Sequence, residues 1–147
     1  MSNDDHFINL ALEMAEGVEP VASAKVASIL VNRNKIIALG YCNNKSHPFA
    51  KRFGKNSDAI YFHAEVYAIY NALKKYSEED LKNMKTTLYV ARVKYPPSTN
   101  QNLITGLAKP CKGCMRAIKY FNVDRIVYTL NCTEENEVKY AVERMNY

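Results

Sequence analysis

The chain of 147 residues has no apolar run near the ~20 residues that a membrane helix needs, so no spanning helix is expected. Its opening stretch, "MSNDDHFINL", carries acids where a secretory signal would carry bases. It has no internal repeat, low-complexity tract or linker, and its length suits a single domain over residues 1–147 with one substantial core. The expected place is the cytosol, of a cell or of an infected host, with no membrane partner. Cysteine is scarce: Cys42, Cys111, Cys114 and Cys132 are the only four. In a reducing compartment they stay thiols, so a close pair suggests a metal before a disulfide. Neither sign of charge dominates. Twenty Lys+Arg against 15 Asp+Glu leave +5, which suits an anionic ligand but is too mild to imply nucleic acid by itself.

What is present reads as an ordinary globular protein, 48% hydrophobic and 24% charged. Phe7, Leu10, Ala11 and Met14 recur at helical spacing, with Gly17 able to end that helix. In "KVASILVNRNKIIALGY", two β-branched runs flank the polar turn Asn32-Arg33-Asn34, the pattern of a hairpin. Residues 42 to 60 form a polar, basic loop. In "HAEVYAIYNALKKY", Val66, Ile69, Tyr70 and Leu73 share one helical face. "KTTLYVARVKY" is a strand, "PPSTNQN" a turn and "LITGLAK" a short return strand. "CMRAIKYF" is helical through Cys114, Ile118 and Phe121. "RIVYTL" is a buried strand, parallel to the one before because a helix lies between them. Val138, Ala141, Val142 and Met145 mark a final helix. The class is α/β: a mixed sheet of four to five strands with helices on both faces.

Two thiols three positions apart, in "AKPCKGCMRAI", do not complete a metal site. Alone, Cys-x-x-Cys is equally a redox pair. In an α/β sheet, sites form beyond the carboxyl ends of parallel strands, where helices begin. Two helices should begin there, at His63 and at Cys111. Cys111 and Cys114 share a face in the first turn, where free N–H groups and the helix dipole favour a thiolate. Pro110 suits the entry, since the first turn needs no N–H from it. The thiols would then supply two zinc ligands and His63 a third. Three protein ligands leave one position open, the catalytic pattern rather than the structural one. Glu65, two residues after His63, stands at the same helix mouth as a proton carrier.

His-Ala-Glu followed by Pro-Cys-x-x-Cys is the pattern of zinc-dependent nucleobase deaminases. With "HAEVYAI" at 63–69, "TLYV" at 87–90, "PCKGC" at 110–114, "RIVYT" at 125–129 and the hairpin end "IIALGY", the chain resembles the cytidine/deoxycytidylate deaminase superfamily from about Ala24 to Thr129. The resemblance implies a three-layer α/β/α fold, one Zn2+ per chain and a homo-oligomer. It makes His63, Cys111 and Cys114 the ligands and Glu65 the proton shuttle of a hydrolytic reaction that releases ammonia. It also brings Ala64, between two of these, into contact with substrate. Histidine as the first ligand is like the deoxycytidylate, tRNA-adenosine and guanine branches; the free-cytidine branch usually has cysteine.

The chain departs from the pattern in three places. Residues 91 to 109 intervene where many relatives pass from "TLYV" almost directly to the Pro-Cys motif; they should form a hairpin returning to the site. Relatives place an asparagine shortly after the second strand; "GYCNN" puts Cys42 near that place, so Asn43 is assigned the role. Only residues 131 to 147 follow "RIVYTL", a tight fit for a fifth strand and more helix. The loop before His63 holds Lys45, His47, Lys51, Arg52 and Lys55 against one acid, Asp58, and Lys51 and Arg52 are assigned to a substrate phosphate. The expected substrate is a small-molecule nucleotide, deoxycytidylate first. Two alternatives stay open: a base within RNA or single-stranded DNA, with Tyr41, Phe53 and Tyr61 as stacking platforms, and a zinc-containing nucleotide-binding module without chemistry.

Overall fold

The structure is a computed structural model, and it describes residues 3–18, 24–42, 48–49, 63–94, 104–132 and 138–145. The elements follow in the order α1 (Asp4–Glu16), β1 (Ala24–Asn32), β2 (Lys35–Tyr41), α2 (Ala64–Ala72), α3 (Glu78–Asn83), β3 (Thr86–Lys94), β4 (Ile104–Gly106), α4 (Lys112–Tyr120), β5 (Arg125–Thr129) and β6 (Tyr140–Arg144). One mixed sheet runs β2-β1-β3-β5-β6, with β4 paired to β3 off that path. The strand count among the described residues is therefore six, one more than the sequence suggested.

The hairpin β1–β2 turns at Arg33 and Asn34, whose φ values of 51° and 62° put both in the left-handed region. That is the two-residue turn whose twist matches a hairpin; asparagine tolerates it well and arginine less so. β1 then pairs with β3 antiparallel along its whole length, from Ala24↔Lys94 to Asn32↔Thr86. β5 runs parallel to β3 and is reached through α4, as the intervening helix required. β4 is the expected return strand: Arg92 lies opposite Gly106 in an antiparallel pair. It occupies the place beside β3 that β5 leaves free beyond Tyr128.

Alternation along β3 explains the two layers of core. Tyr89, Ala91 and Val93 face α1, where Phe7, Ile8, Ala11, Leu12 and Ala15 cover them. Leu88 and Val90 face the other way, under Val66, Ala68 and Ile69 of α2 and Cys114, Ala117 and Ile118 of α4. Helices thus cover both faces. Among the described residues no helix is long and apolar enough to cross a membrane. A short helix that the apolar spacing did not announce, α3, is capped by Ser77, whose side chain accepts from the Asp80 N–H at 3.0 Å.

The expected final helix is instead β6, antiparallel to β5 from Arg125↔Arg144 to Thr129↔Tyr140. The reason lies in the spacing. Ala141 and Met145, and likewise Val138 and Val142, are four residues apart, which is one helical turn but also two strand repeats. Ala141 and Met145 do pack on the core, and Val138 and Val142 are exposed. The open edge of β5 decides between the two periods, because its backbone groups need partners.

A buried ion pair fastens α1 to the sheet. Asp4, 5% exposed, accepts from Arg125 Nη2 at 2.6 Å and Nη1 at 3.3 Å and from the Tyr89 hydroxyl at 2.6 Å. Asp4→Ala should strand the guanidinium of β5 and cost about 3 kcal/mol. For a chain of this size that corresponds to a fall in Tm of roughly 6–12 °C. A change under about 2 °C in thermal unfolding would show that the pair contributes nothing net.

Candidate active site

Two helix starts build the site. His63 is the N-cap of α2, with extended backbone (φ −68°, ψ 150°), and its carbonyl accepts from Tyr67 N–H at 2.9 Å. Cys111 is the N-cap of α4, also extended (φ −71°, ψ 173°), and its Sγ accepts from the Cys114 N–H at 3.5 Å. A thiolate replaces the usual hydroxyl or carboxylate cap, at the positive end of the helix. Pro110 therefore sits one residue outside the cap rather than within the first turn.

The sheet brings the two starts together across some fifty residues of chain. His63 Nδ1 lies 3.3 Å from Cys114 Sγ and 3.6 Å from Cys111 Sγ. All three ligand atoms fall within 4.8 Å of one another. Tetrahedral zinc with ~2.0–2.3 Å bonds to nitrogen and sulfur places its donors about 3.5 Å apart. One imidazole and two thiols at these separations fit one zinc ion.

Charge in the cluster is shared unevenly. The Cys111 thiol is lowered to about 3 by hydrogen bonds from Cys114 and His63, which outweigh its burial. Cys114 is pushed well above its ordinary value by its bond to Cys111 and by burial. His63 is raised by its bond to Cys111. Glu65, 6% exposed, is raised by burial, against the opposing effect of its own backbone N–H and of His63. A buried carboxyl whose neutral form is favoured can hold a proton where an exposed one would not.

Two residues that sequence reasoning did not single out set the position of α2. Gly40 of β2 passes directly against the helix start: a Cβ there would lie 2.3 Å from the Ala64 carbonyl oxygen and 2.5 Å from the Ala68 nitrogen. Ser28 of β1 donates its hydroxyl to the same Ala64 carbonyl at 2.7 Å. The available signal was a glycine inside a strand, which marks close approach of another backbone. Gly40→Ala should push His63–Glu65 away from the cysteines, lowering zinc content and turnover together. Unchanged zinc occupancy and rate in a folded Gly40→Ala protein would show that the contact can relax.

Of the residues assigned from sequence, His63, Ala64, Glu65, Cys111 and Cys114 share this site or its helix starts. Asn43, Lys51 and Arg52 lie outside the described residues, as do Phe53 and Tyr61. Cys42 is half-buried and its thiol is raised to about 11, by burial first and then by the Glu65 charge; it is not part of the donor group. Cys132 is a buried free thiol.

Residues 1–130 match the family model described as "Cytidine and deoxycytidylate deaminase zinc-binding region". The chain belongs to this family. It is a hydrolytic deaminase with a zinc-binding site. Among solved structures it is similar to a cytidine deaminase from Burkholderia pseudomallei, with TM-score 0.57 and 17% identity over 96% of this chain and 92% of that one. It is also similar to a dCMP deaminase from the cyanophage S-TIM5. The apo form gives TM-score 0.53 and 21% identity over 85% of this chain and 80% of that one. The form in complex with dCMP and dUMP gives 0.52 and 19% over 87% and 82%. At these identities the likeness shows the fold. No curated protein matches the chain. For this deaminase the observed sheet, helices on both faces and group of three donor residues agree with what the resemblance implied.

Proposed function

We propose that the chain deaminates a free nucleotide, deoxycytidylate first, to deoxyuridylate and ammonia. The observation that carries the chemistry is the buried Glu65 carboxyl beside His63, Cys111 and Cys114. When bound, zinc supplies Lewis acidity that makes water a usable nucleophile near neutral pH. His63, Cys111 and Cys114 would hold it. Glu65 takes one proton from the attacking water and gives it to the ring nitrogen beside the carbon that carries the amine, whose C=N bond opens as oxygen bonds to that carbon. The same carboxyl then carries the second proton from the new hydroxyl to the amine, the carbon–amine bond breaks, the carbonyl forms and ammonia leaves. Water supplies the carbonyl oxygen and both transferred protons, so atoms balance without any further reactant. Burial suits Glu65 to both steps, because it brings the proton affinity of the carboxyl nearer that of its partners. The free N–H groups at the starts of α2 and α4, Ala64 among them, can steady charge that develops on the ring.

The substrate choice rests on less. Histidine as first ligand and the basic loop with Lys51 and Arg52 favour a phosphate-bearing ligand, with Asn43 taking the sugar or base. The cyanophage relative in the same fold carries dCMP and dUMP. A homo-oligomer and a cytoplasmic place belong to the same proposal. Exposed Ile36, Leu39 and Tyr41 on the edge strand β2 offer apolar surface for self-association. The test is ammonia release from a panel of cytosine, adenine and guanine nucleosides, monophosphates and short oligonucleotides at two salt concentrations. Deoxycytidylate should react at least about tenfold better than deoxycytidine, since a charged hydrogen bond contributes ~1.5–3 kcal/mol. If a cytosine oligonucleotide reacts best and loses rate steeply with salt, the substrate is a polynucleotide. If nothing reacts, the binding-module alternative takes over.

A further inference from the structure

The chemistry above leaves a half-buried cation on the α2 and α4 side of the sheet unused. Arg92 follows Leu88 and Val90 at strand spacing, so it faces the α2 and α4 side of the sheet. It lies further toward the carboxyl end of β3, opposite Val26 of β1 and Gly106 of β4. Cys42 is fastened to the same Val26 by a backbone hydrogen bond of 3.1 Å. Beyond the dominant effect of burial, the Cys42 thiol feels both the Glu65 charge and the Arg92 charge, in opposite directions. The Cys42 thiol is thus within electrostatic reach of both Arg92 and the catalytic carboxyl.

The Nε of Arg92 is buried and has no hydrogen-bond partner among the described residues. Its backbone N–H is separately engaged, donating to Thr129 Oγ1 at 3.1 Å, and that hydroxyl donates to the Gly106 carbonyl at 2.7 Å. Gly106 lies against the aliphatic stem: a Cβ there would be 3.3 Å from Arg92 Cγ and Cδ. The described part of the 91–109 insert therefore packs Gly106 against the stem of this arginine. A buried guanidinium N–H without a partner among the described residues is unfavourable, and the fold nonetheless packs it in place.

We propose that Arg92 binds a phosphoryl oxygen of the substrate, so that the insert serves nucleotide recognition. This rests on the nucleotide reading given above. A nucleoside offers only neutral acceptors. A monophosphate offers charged oxygens whose spacing matches the planar guanidinium fork, and several cations can share them.

The test uses the zinc-loaded full chain as parent, Arg92→Lys and Arg92→Gln. Calorimetry compares deoxycytidine with deoxycytidylate, and ammonia release follows the same pair. The parent should bind the monophosphate about tenfold or more tighter, ~1.4 kcal/mol. Arg92→Gln should lose most of that preference and Arg92→Lys part of it, with deoxycytidine affinity within about threefold of the parent. An undiminished preference in Arg92→Gln overturns the proposal. So does equal weakening of both ligands, which a structural arginine or one bonded to the ring would give. If Arg92→Gln does not fold, Arg92→Lys decides through inhibition of deoxycytidine turnover by inorganic phosphate: weaker inhibition than in the parent supports the proposal, unchanged inhibition overturns it. An Arg92-dependent preference without ammonia release sinks the deoxycytidylate reading and leaves this inference standing. Ammonia from both ligands with equal affinity does the reverse.

Discussion

Glu65→Ala and Glu65→Gln should keep the fold and the zinc while turnover falls by several orders of magnitude. General acid–base transfer by one positioned group contributes ~10²–10⁴, and here one carboxyl serves two successive transfers. Glutamine keeps the shape and removes the proton carrier, so its loss of rate isolates the chemistry from packing. The folded-state shift of Glu65 is upward, from burial. An acid shifted upward on folding costs stability at every pH above both its folded and unfolded values. In the zinc-free protein at neutral pH, Glu65→Gln should therefore hold or raise Tm rather than lower it. The measurements are kcat, zinc content and thermal unfolding on the same preparations. Parent-like turnover in Glu65→Gln would remove Glu65 from the mechanism.

The second large effect concerns the metal. The purified parent should carry one zinc per chain. Cys111→Ala combined with Cys114→Ala should carry almost none and be inactive, because a lone imidazole cannot hold the ion against solvent. Chelation of the parent should abolish turnover, and added zinc should restore it. Alkylation of Cys42 and Cys132 should leave the metal in place, since neither thiol belongs to the cluster. Full zinc occupancy in the double cysteine variant would mean that the ion sits elsewhere.

The donor set was legible because each half carries a local signature. His63-Ala64-Glu65 and Pro110-Cys111-x-x-Cys114 each open a helix, and a helix start is written in a few adjacent residues. The hairpin turn at Arg33-Asn34 and the parallel β3–β5 pair were legible for the same reason: turn chemistry and the length of a crossover are short-range properties. β6 was misread because its four-residue spacings suit both periods. No local feature could separate them.

Alone, the sequence determined which residue types open α2 and α4, where most strands and helices lie, and that an imidazole, two thiols and a carboxyl were available together. Tertiary structure decided the rest. It brought His63 Nδ1 to 3.3 Å from Cys114 Sγ. It pressed Gly40 against the Ala64 carbonyl, gave the open edge of β5 to residues 140–144, and laid Gly106 over Arg92. These are contacts between separate elements of the chain. Their energies come from excluded volume, from desolvation and from backbone groups that must find partners. Such terms exist only once the sheet has assembled, so no window of sequence contains them.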